Sequence, residues 1–191
     1  MENFFPILIG TILINNLALT KLVSVGQLTT FGENEDQTVA LGLSAAVIMG
    51  ISSILSYFAF TLIIEPFELF ALDILLYVLI VLAVTGLVMV AMKKIRVAMF
   101  EALKKVLPLL AINSAVMYLI LDNAASGLEI VPMLLTSVGA PLGLLFAFVL
   151  YGAVKERLAV ANTPKAFKGL PILLIYAALA VMAMSGLNGI L

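Results

Sequence analysis

Apolar residues run along this chain in long, nearly unbroken stretches rather than in strict alternation. Each stretch approaches the roughly 20 residues that a membrane-crossing helix needs. Six are expected, at about 4–26, 39–62, 71–92, 106–121, 133–154 and 170–191. Only helices and closed barrels satisfy the backbone in lipid, and runs of this length without a two-residue period read as helices. The first stretch is interrupted by Asn15-Asn16, and the fourth is short and carries Asn113-Ser114. These two spans are expected to be broken or half helices.

The halves of the chain repeat. Shifting the sequence by about 98 positions lays spans one to three on spans four to six, with Ile14-Asn15-Asn16 on Ile112-Asn113-Ser114. Gly42, Ala46 and Gly50 in span two answer to Gly139, Gly143 and Ala147 in span five, one residue off that shift. Three spans per half is an odd number, so the halves enter the membrane from opposite sides. The expectation is an all-α integral membrane protein of one domain, 1–191. Repeat one covers about 1–92 and repeat two about 99–191, in the inverted arrangement common among transporters. Small residues four apart let helix backbones approach closely, which supports packing and says little about chemistry.

Composition agrees with the pattern. Hydrophobic residues are 64% and charged residues 11%, with a mean hydropathy of +1.25, against about 45–50% and about 25% in soluble domains. A soluble enzyme, a nucleic-acid reader and a disordered regulator are excluded. With no cysteine and no histidine, this chain alone offers no disulfide, no thiolate ligand for iron or zinc and no imidazole relay. Met1-Glu2-Asn3 lacks the basic flank of a cleavable signal, so the first apolar run is expected to be retained.

The charges are sorted by segment. Lys93, Lys94, Arg96, Lys104 and Lys105 fall in one expected loop, and Lys155, Arg157, Lys165 and Lys168 in another. Lys21 lies near the same side, whereas the opposite segments carry Glu2, Glu65, Glu68, Asp73, Asp122 and Glu129 without a base. The positive-inside rule places the basic loops in the cytoplasm and both termini outside. Glu33, Asn34, Glu35 and Asp36 form an acidic cluster in a further cytoplasmic loop. Glu65-Pro66 reads as a turn, and Asp73 as an interfacial carboxylate. Lys21 can snorkel to the surface, and no carboxylate lies well inside a span to serve as an ion or proton relay.

The polar interruptions are the candidate site. Asn15 lies about eleven residues into its span, near the bilayer middle at about 1.5 Å per residue. Asn113 enters span four from the other face. Two interrupted helices related by an inverted repeat point to a midplane site built from Asn15, Asn16, Asn113 and Ser114. The alternative is that these amides are interhelical glue, worth about 1–2 kcal/mol at most.

An ordered set of motifs resembles the membrane subunits of the Rnf and Nqr ion-translocating electron-transport complexes. It is most similar to the RnfA branch, equivalent to NqrE. Glu156-Arg157-Leu158-Ala159-Val160-Ala161-Asn162-Thr163-Pro164, followed by Phe167-Lys168-Gly169, resembles the loop before the last span. Leu107-Pro108-Leu109-Leu110 with Asn113-Ser114-Ala115-Val116 resembles the fourth-span motif, Asn15-Asn16 with Lys21 the first, and Gly42-Leu43 the opening of span two.

The resemblance implies a six-span inverted repeat that packs against a homologous partner of opposite orientation in a prokaryotic inner membrane. It implies an iron–sulfur cluster at the membrane centre, ligated by cysteines from both partners. It also implies flavin and iron–sulfur partner subunits, a ferredoxin/NAD or NADH/quinone reaction, and coupling to sodium or proton movement. The family's cluster cysteines align with Gly26 and Ser114, and its span-three glutamine and glutamate with Gly86 and Met89. Glycine has no ligand atom and serine is a poor ligand for iron. Three readings follow: a divergent member of such a complex, not catalytic by itself; a cluster-free transporter of an ion or small solute; or a purely structural component.

Overall fold

The structure, a computed structural model, describes residues 4–20, 35–127 and 129–186. All regular structure among them is helical. Helix α1 (Phe4–Ile9) runs into a π turn (Gly10–Ile14), and a short α2 (Leu17–Thr20) follows. Helix α3 (Glu35–Ala59) also ends in a π turn (Phe60–Ile64). A 3-10 turn (Phe70–Leu72) leads into α4 (Asp73–Ile95), and α5 is Val97–Leu103. A 3-10 stretch (Leu107–Ile112) precedes α6 (Ser114–Ala125). Helix α7 (Ile130–Val160) is the longest, and a 3-10 turn (Lys165–Phe167) separates it from α8 (Leu170–Ser185).

Four stretches are long and apolar enough to cross a membrane: Asp36–Ile64, Phe70–Ile95, Leu107–Ala125 and Ile130–Val160. Helix α8 is apolar but shorter. The protein is thus a multi-pass helical membrane protein. Its first expected span is described only as α1, its π turn and α2. Lys21, Gly26, Glu33 and Asn34 lie outside the described residues.

Helix ends have local causes. Glu65-Pro66 begins a turn after α3, as expected: Glu65 is still helical at φ −64° and ψ −50°, Pro66 has no amide hydrogen with which to extend the ladder, and Glu68 turns the chain at φ 53°. Arg96 adopts φ −136° and ψ 71°, which splits α5 from α4. Gly169, at φ 89°, turns the chain into α8, whose first turn carries Pro171. Asp73 opens α4, where its carboxylate accepts from the Ile74 amide.

The helices run beyond their apolar cores, and this corrects the loop assignments. Lys93 and Lys94 sit in the last turn of α4, and Lys155, Glu156 and Arg157 on the last turns of α7. Glu35 and Asp36 begin α3. Hydropathy marks only the lipid-soluble part of a helix, whereas backbone hydrogen bonding continues into the polar layer.

Burial and polarity are related in the sense a lipid solvent allows. The 18-residue apolar window of the Phe70–Ile95 stretch is the most apolar of the four and only 22% buried, whereas that of Ile130–Val160 is 50% buried. Leu75, Leu79, Leu82 and Leu87 face outward from α4 while Tyr77, Val81 and Thr85 face inward. In a bilayer an outward leucine costs nothing, so interior positions are chosen for close packing and hydrogen bonding instead.

The core is α3 against α7. Gly42 faces Phe148, and Gly50 faces Ser137 and Pro141. Rising numbers on one helix meet falling numbers on the other, so the two run antiparallel. Around this pair, α1, its π turn and α2 pack on α7, while α6 packs on α3 and residues 107–112 pack on α4 and α3. Each half's interrupted segment therefore rests on the long helix of the other half.

Gly143 fixes the closest approach of backbone to backbone. A Cβ there would lie 2.9 Å from the Ile12 carbonyl oxygen and 3.1 Å from that of Thr11. Both obstacles are backbone and cannot rotate away. Gly143→Ala should destabilise the protein by about 1–3 kcal/mol. Gly86→Ala, inside α4 with nothing within 4 Å, should not lower stability, since alanine favours the helix. Thermal unfolding of both variants in detergent checks this, and equal midpoints would refute it.

Candidate functional site

The first interruption is built around Asn16. The preceding π turn ends at Asn15, whose amide donates to Gly10 O at 2.7 Å. Asn16 is fully buried, and its Nδ2 donates to Ile12 O at 2.9 Å and across to Gly143 O on α7 at 2.7 Å. Its Oδ1 accepts from the Leu19 amide at 3.3 Å, closing the start of α2. One side chain thus supplies the partners that the broken backbone lacks and ties the break to the opposite half. Asn15 is exposed.

The second interruption uses the same residue type differently. Asn113 is extended, at φ −71° and ψ 121°, between the 3-10 stretch and α6. It is fully buried, and its Oδ1 accepts from the Ala115 amide at 2.8 Å, a helix N-cap. Ser114 is exposed, and its neighbour Ile112 is 78% exposed. Asn16 and Asn113 are therefore buried structural anchors, while Asn15 and Ser114 present polar groups at the chain's surface beside each break.

A polar cluster that sequence reading passed over joins three helices. Asn123 on α6 donates to Ser53 Oγ on α3 at 2.9 Å and to Ser137 Oγ on α7 at 3.2 Å. Ser53 and Ser137 share a 2.8 Å hydrogen bond, and Thr136 donates to Asn123 Oδ1 at 3.0 Å. The available signal was modest: Ser52, Ser53 and Ser56 in one apolar helix, Thr136-Ser137 in another, and Asn123 near the end of a third. A cavity of about 210 Å³ adjoins the cluster, lined by Ser56, Thr61, Glu65, Tyr77 and Asn123 among others.

The donor set does not fit a cluster held by this chain. Residue 114 offers a hydroxyl where a thiolate is needed, and the sequence contains no cysteine. Among the described residues no group of three acidic or histidine side chains is placed to hold a metal ion. Gly86 and Met89 on α4 supply no acid or amide either.

Comparison with known proteins agrees with the class that the fold defines. A family profile described as "Rnf-Nqr subunit, membrane protein" matches residues 4–191. The chain is 30% identical over 183 residues to the A-subunit of the Na(+)-translocating ferredoxin:NAD(+) oxidoreductase complex of Acetobacterium woodii, covering 96% of this chain and 95% of that one. It is 32% identical over 190 residues to the A-subunit of the ion-translocating oxidoreductase complex of Cereibacter sphaeroides, and 30% over 190 residues to that of an Azoarcus species. Both of these alignments cover 100% of this chain and 98% of the relative. The chain belongs to the Rnf-Nqr membrane subunit family.

Replacing Asn123 by leucine should remove the hydrogen bonds that tie α6 to Ser53 on α3 and to Thr136 and Ser137 on α7. The expected loss is about 1–2 kcal/mol of stability, the range measured for polar contacts between membrane helices. Chemical or thermal unfolding of Asn123→Leu beside Ser126→Ala, an exposed control on the same element's edge, reads this directly. A loss no larger than the control's would show the cluster to be energetically idle.

Proposed function

We propose that this chain is a membrane subunit of an Rnf/Nqr-type ion-translocating electron-transport complex, of the ferredoxin/NAD or NADH/quinone kind. The observation that carries this reading is its end-to-end likeness to three proteins named as A-subunits of such complexes. Within the complex the chain contributes scaffold and ion path, and its catalytic chemistry belongs to partner subunits.

The finer architecture is six spans in two inverted halves. Three features support it. The element order of an interrupted segment, a long helix, a 3-10 turn and a further helix occurs once in 4–95 and again in 97–185. The corresponding long helices, α3 and α7, are antiparallel neighbours. The interrupted segments are exchanged between halves.

Two contacts support the orientation. The Gly42–Phe148 contact sets the start of α3 beside the last turns of α7. A groove shared by Asp36, Val39, Met92 and Arg96 sets it beside the end of α4. The basic groups of residues 93–105 and 155–168 thus gather at one end, which is cytoplasmic by the positive-inside rule in a prokaryotic inner membrane, with both termini outside.

The partners are a homologous six-span protein in the inverted orientation, flavin and iron–sulfur subunits, and the surrounding lipid, with no nucleic acid. Support for the inverted partner comes from the breaks. A backbone interruption facing lipid is costly, and Asn15, Ile112 and Ser114 are exposed on this chain alone. A covering partner removes that cost and forms the midplane site with Asn15, Asn16, Asn113 and Ser114. The positions of the family's cluster cysteines, Gly26 and Ser114, offer no thiolate here. That mismatch favours a second reading, in which the chain is a cluster-free member that passes an ion or small solute or only completes the assembly.

Deleting this chain should abolish redox-driven sodium or proton uptake by inverted membrane vesicles, and full uptake without it would overturn the reading. Asn113→Leu in the intact complex should reduce that uptake at least tenfold while leaving the composition of the complex unchanged. Undiminished uptake would make Asn113 a helix cap and nothing more.

A further inference from the structure

A second polar feature lies away from the interruptions, at the acidic end of the bundle. It is the cavity of about 210 Å³ between α3, α4 and α6. A water molecule occupies about 30 Å³ in the liquid, so the space admits a small ion with several waters. Ser56 and Tyr77 line it, each 1% exposed, and among the described residues neither hydroxyl has a hydrogen-bond partner. Buried polar groups left unpaired are rare and costly. Here two of them, from different helices, meet one space.

The lining selects the kind of occupant. Its polar groups are oxygens from Ser56, Tyr57, Thr61, Glu65 and Tyr77, together with the Asn123 side chain, and no lysine or arginine takes part. Asn123 is already engaged with Ser53, Ser137 and Thr136, so the cluster closes the cavity toward α7. Glu65 is the single charged group. Segments 65–73 and 122–129 together hold Glu65, Glu68, Asp73, Asp122 and Glu129 and no base, a distribution that raises the local concentration of cations. Divalent ions favour several carboxylates, and Glu65 is the one carboxylate that lines this cavity. The wall at Phe60 and Thr61 is a π turn, an irregularity that recurs at functional sites.

We propose that the Ser56–Tyr77 cavity is an outward-facing vestibule that binds a partly hydrated monovalent cation, with Glu65 at its mouth. The inference deepens the proposed role in ion translocation and rests on it only for the cation's physiological use.

Hydrogen exchange of the purified full-length chain, in sodium chloride against choline chloride at equal ionic strength, tests it. Sodium should slow exchange saturably in residues 56–69, 74–80 and 118–127 and nowhere else. The double variant Ser56→Ala with Tyr77→Phe removes only the two unpartnered hydroxyls. It should unfold no earlier than the parent in choline and raise the half-saturating sodium concentration at least tenfold. Glu65→Gln, at an exposed position that cannot unfold the bundle, should raise it about threefold at low salt.

Identical exchange in sodium and choline would overturn the proposal. So would an unchanged half-saturation in either variant, or protection by magnesium at lower concentration than sodium. The vesicle experiment on the deleted chain and this one fail separately: sodium protection without redox-driven uptake removes the complex and keeps the vestibule, and the reverse result does the opposite.

Discussion

The close approach of the first interrupted segment to α7 at Gly143 is the constraint on which the fold depends. The Ile12 and Thr11 carbonyls sit where any side chain at 143 would go. That proximity lets Asn16 reach the Gly143 carbonyl at 2.7 Å. Lipid gives no hydrophobic advantage to helix association, so contact at the van der Waals limit and buried hydrogen bonds must supply it. Gly42 against Phe148 and Gly50 against Pro141 extend the same principle along α3. A wider residue on either long helix would part the two halves of the chain.

Interruption and closeness are two sides of one design. A helix broken in lipid exposes amides and carbonyls that need partners. Asn16 satisfies its break by reaching to the other half, and Asn113 satisfies its own by capping α6. The two asparagines perform different local tasks, one bridging to a neighbouring helix and the other capping its own. What the breaks share is an exposed polar residue beside each, Asn15 or Ser114.

Much of this was legible in the residues. Long apolar runs identify the helices because the bilayer filters for them, and the Asn15-Asn16 and Asn113-Ser114 pairs mark the places where the helix stops. The family resemblance in the loop at 156–169 and in the fourth-span motif agrees with the full-length family match. The extent of α4 and α7 was not legible, since Lys93, Lys94, Lys155 and Arg157 look like loop residues to hydropathy while their backbones remain helical. Neither was the Ser53–Asn123–Ser137 cluster. Serine and threonine are common in membrane helices, and only three-dimensional packing shows which of them meet. The cavity at Ser56 and Tyr77 stayed hidden for the same reason, its wall being drawn from three separate helices.

The sequence contains no cysteine, and close packing at glycines and buried hydrogen bonds hold the described helices together. The central claim is that this scaffold still serves a redox-driven complex. Gentle affinity purification of the chain from its native membrane, with mass spectrometry of the proteins that accompany it, tests that claim most directly. Stoichiometric recovery with a homologous six-span membrane protein and with flavin and iron–sulfur proteins is the predicted result. Recovery of the chain alone, or only with further copies of itself, would contradict the account.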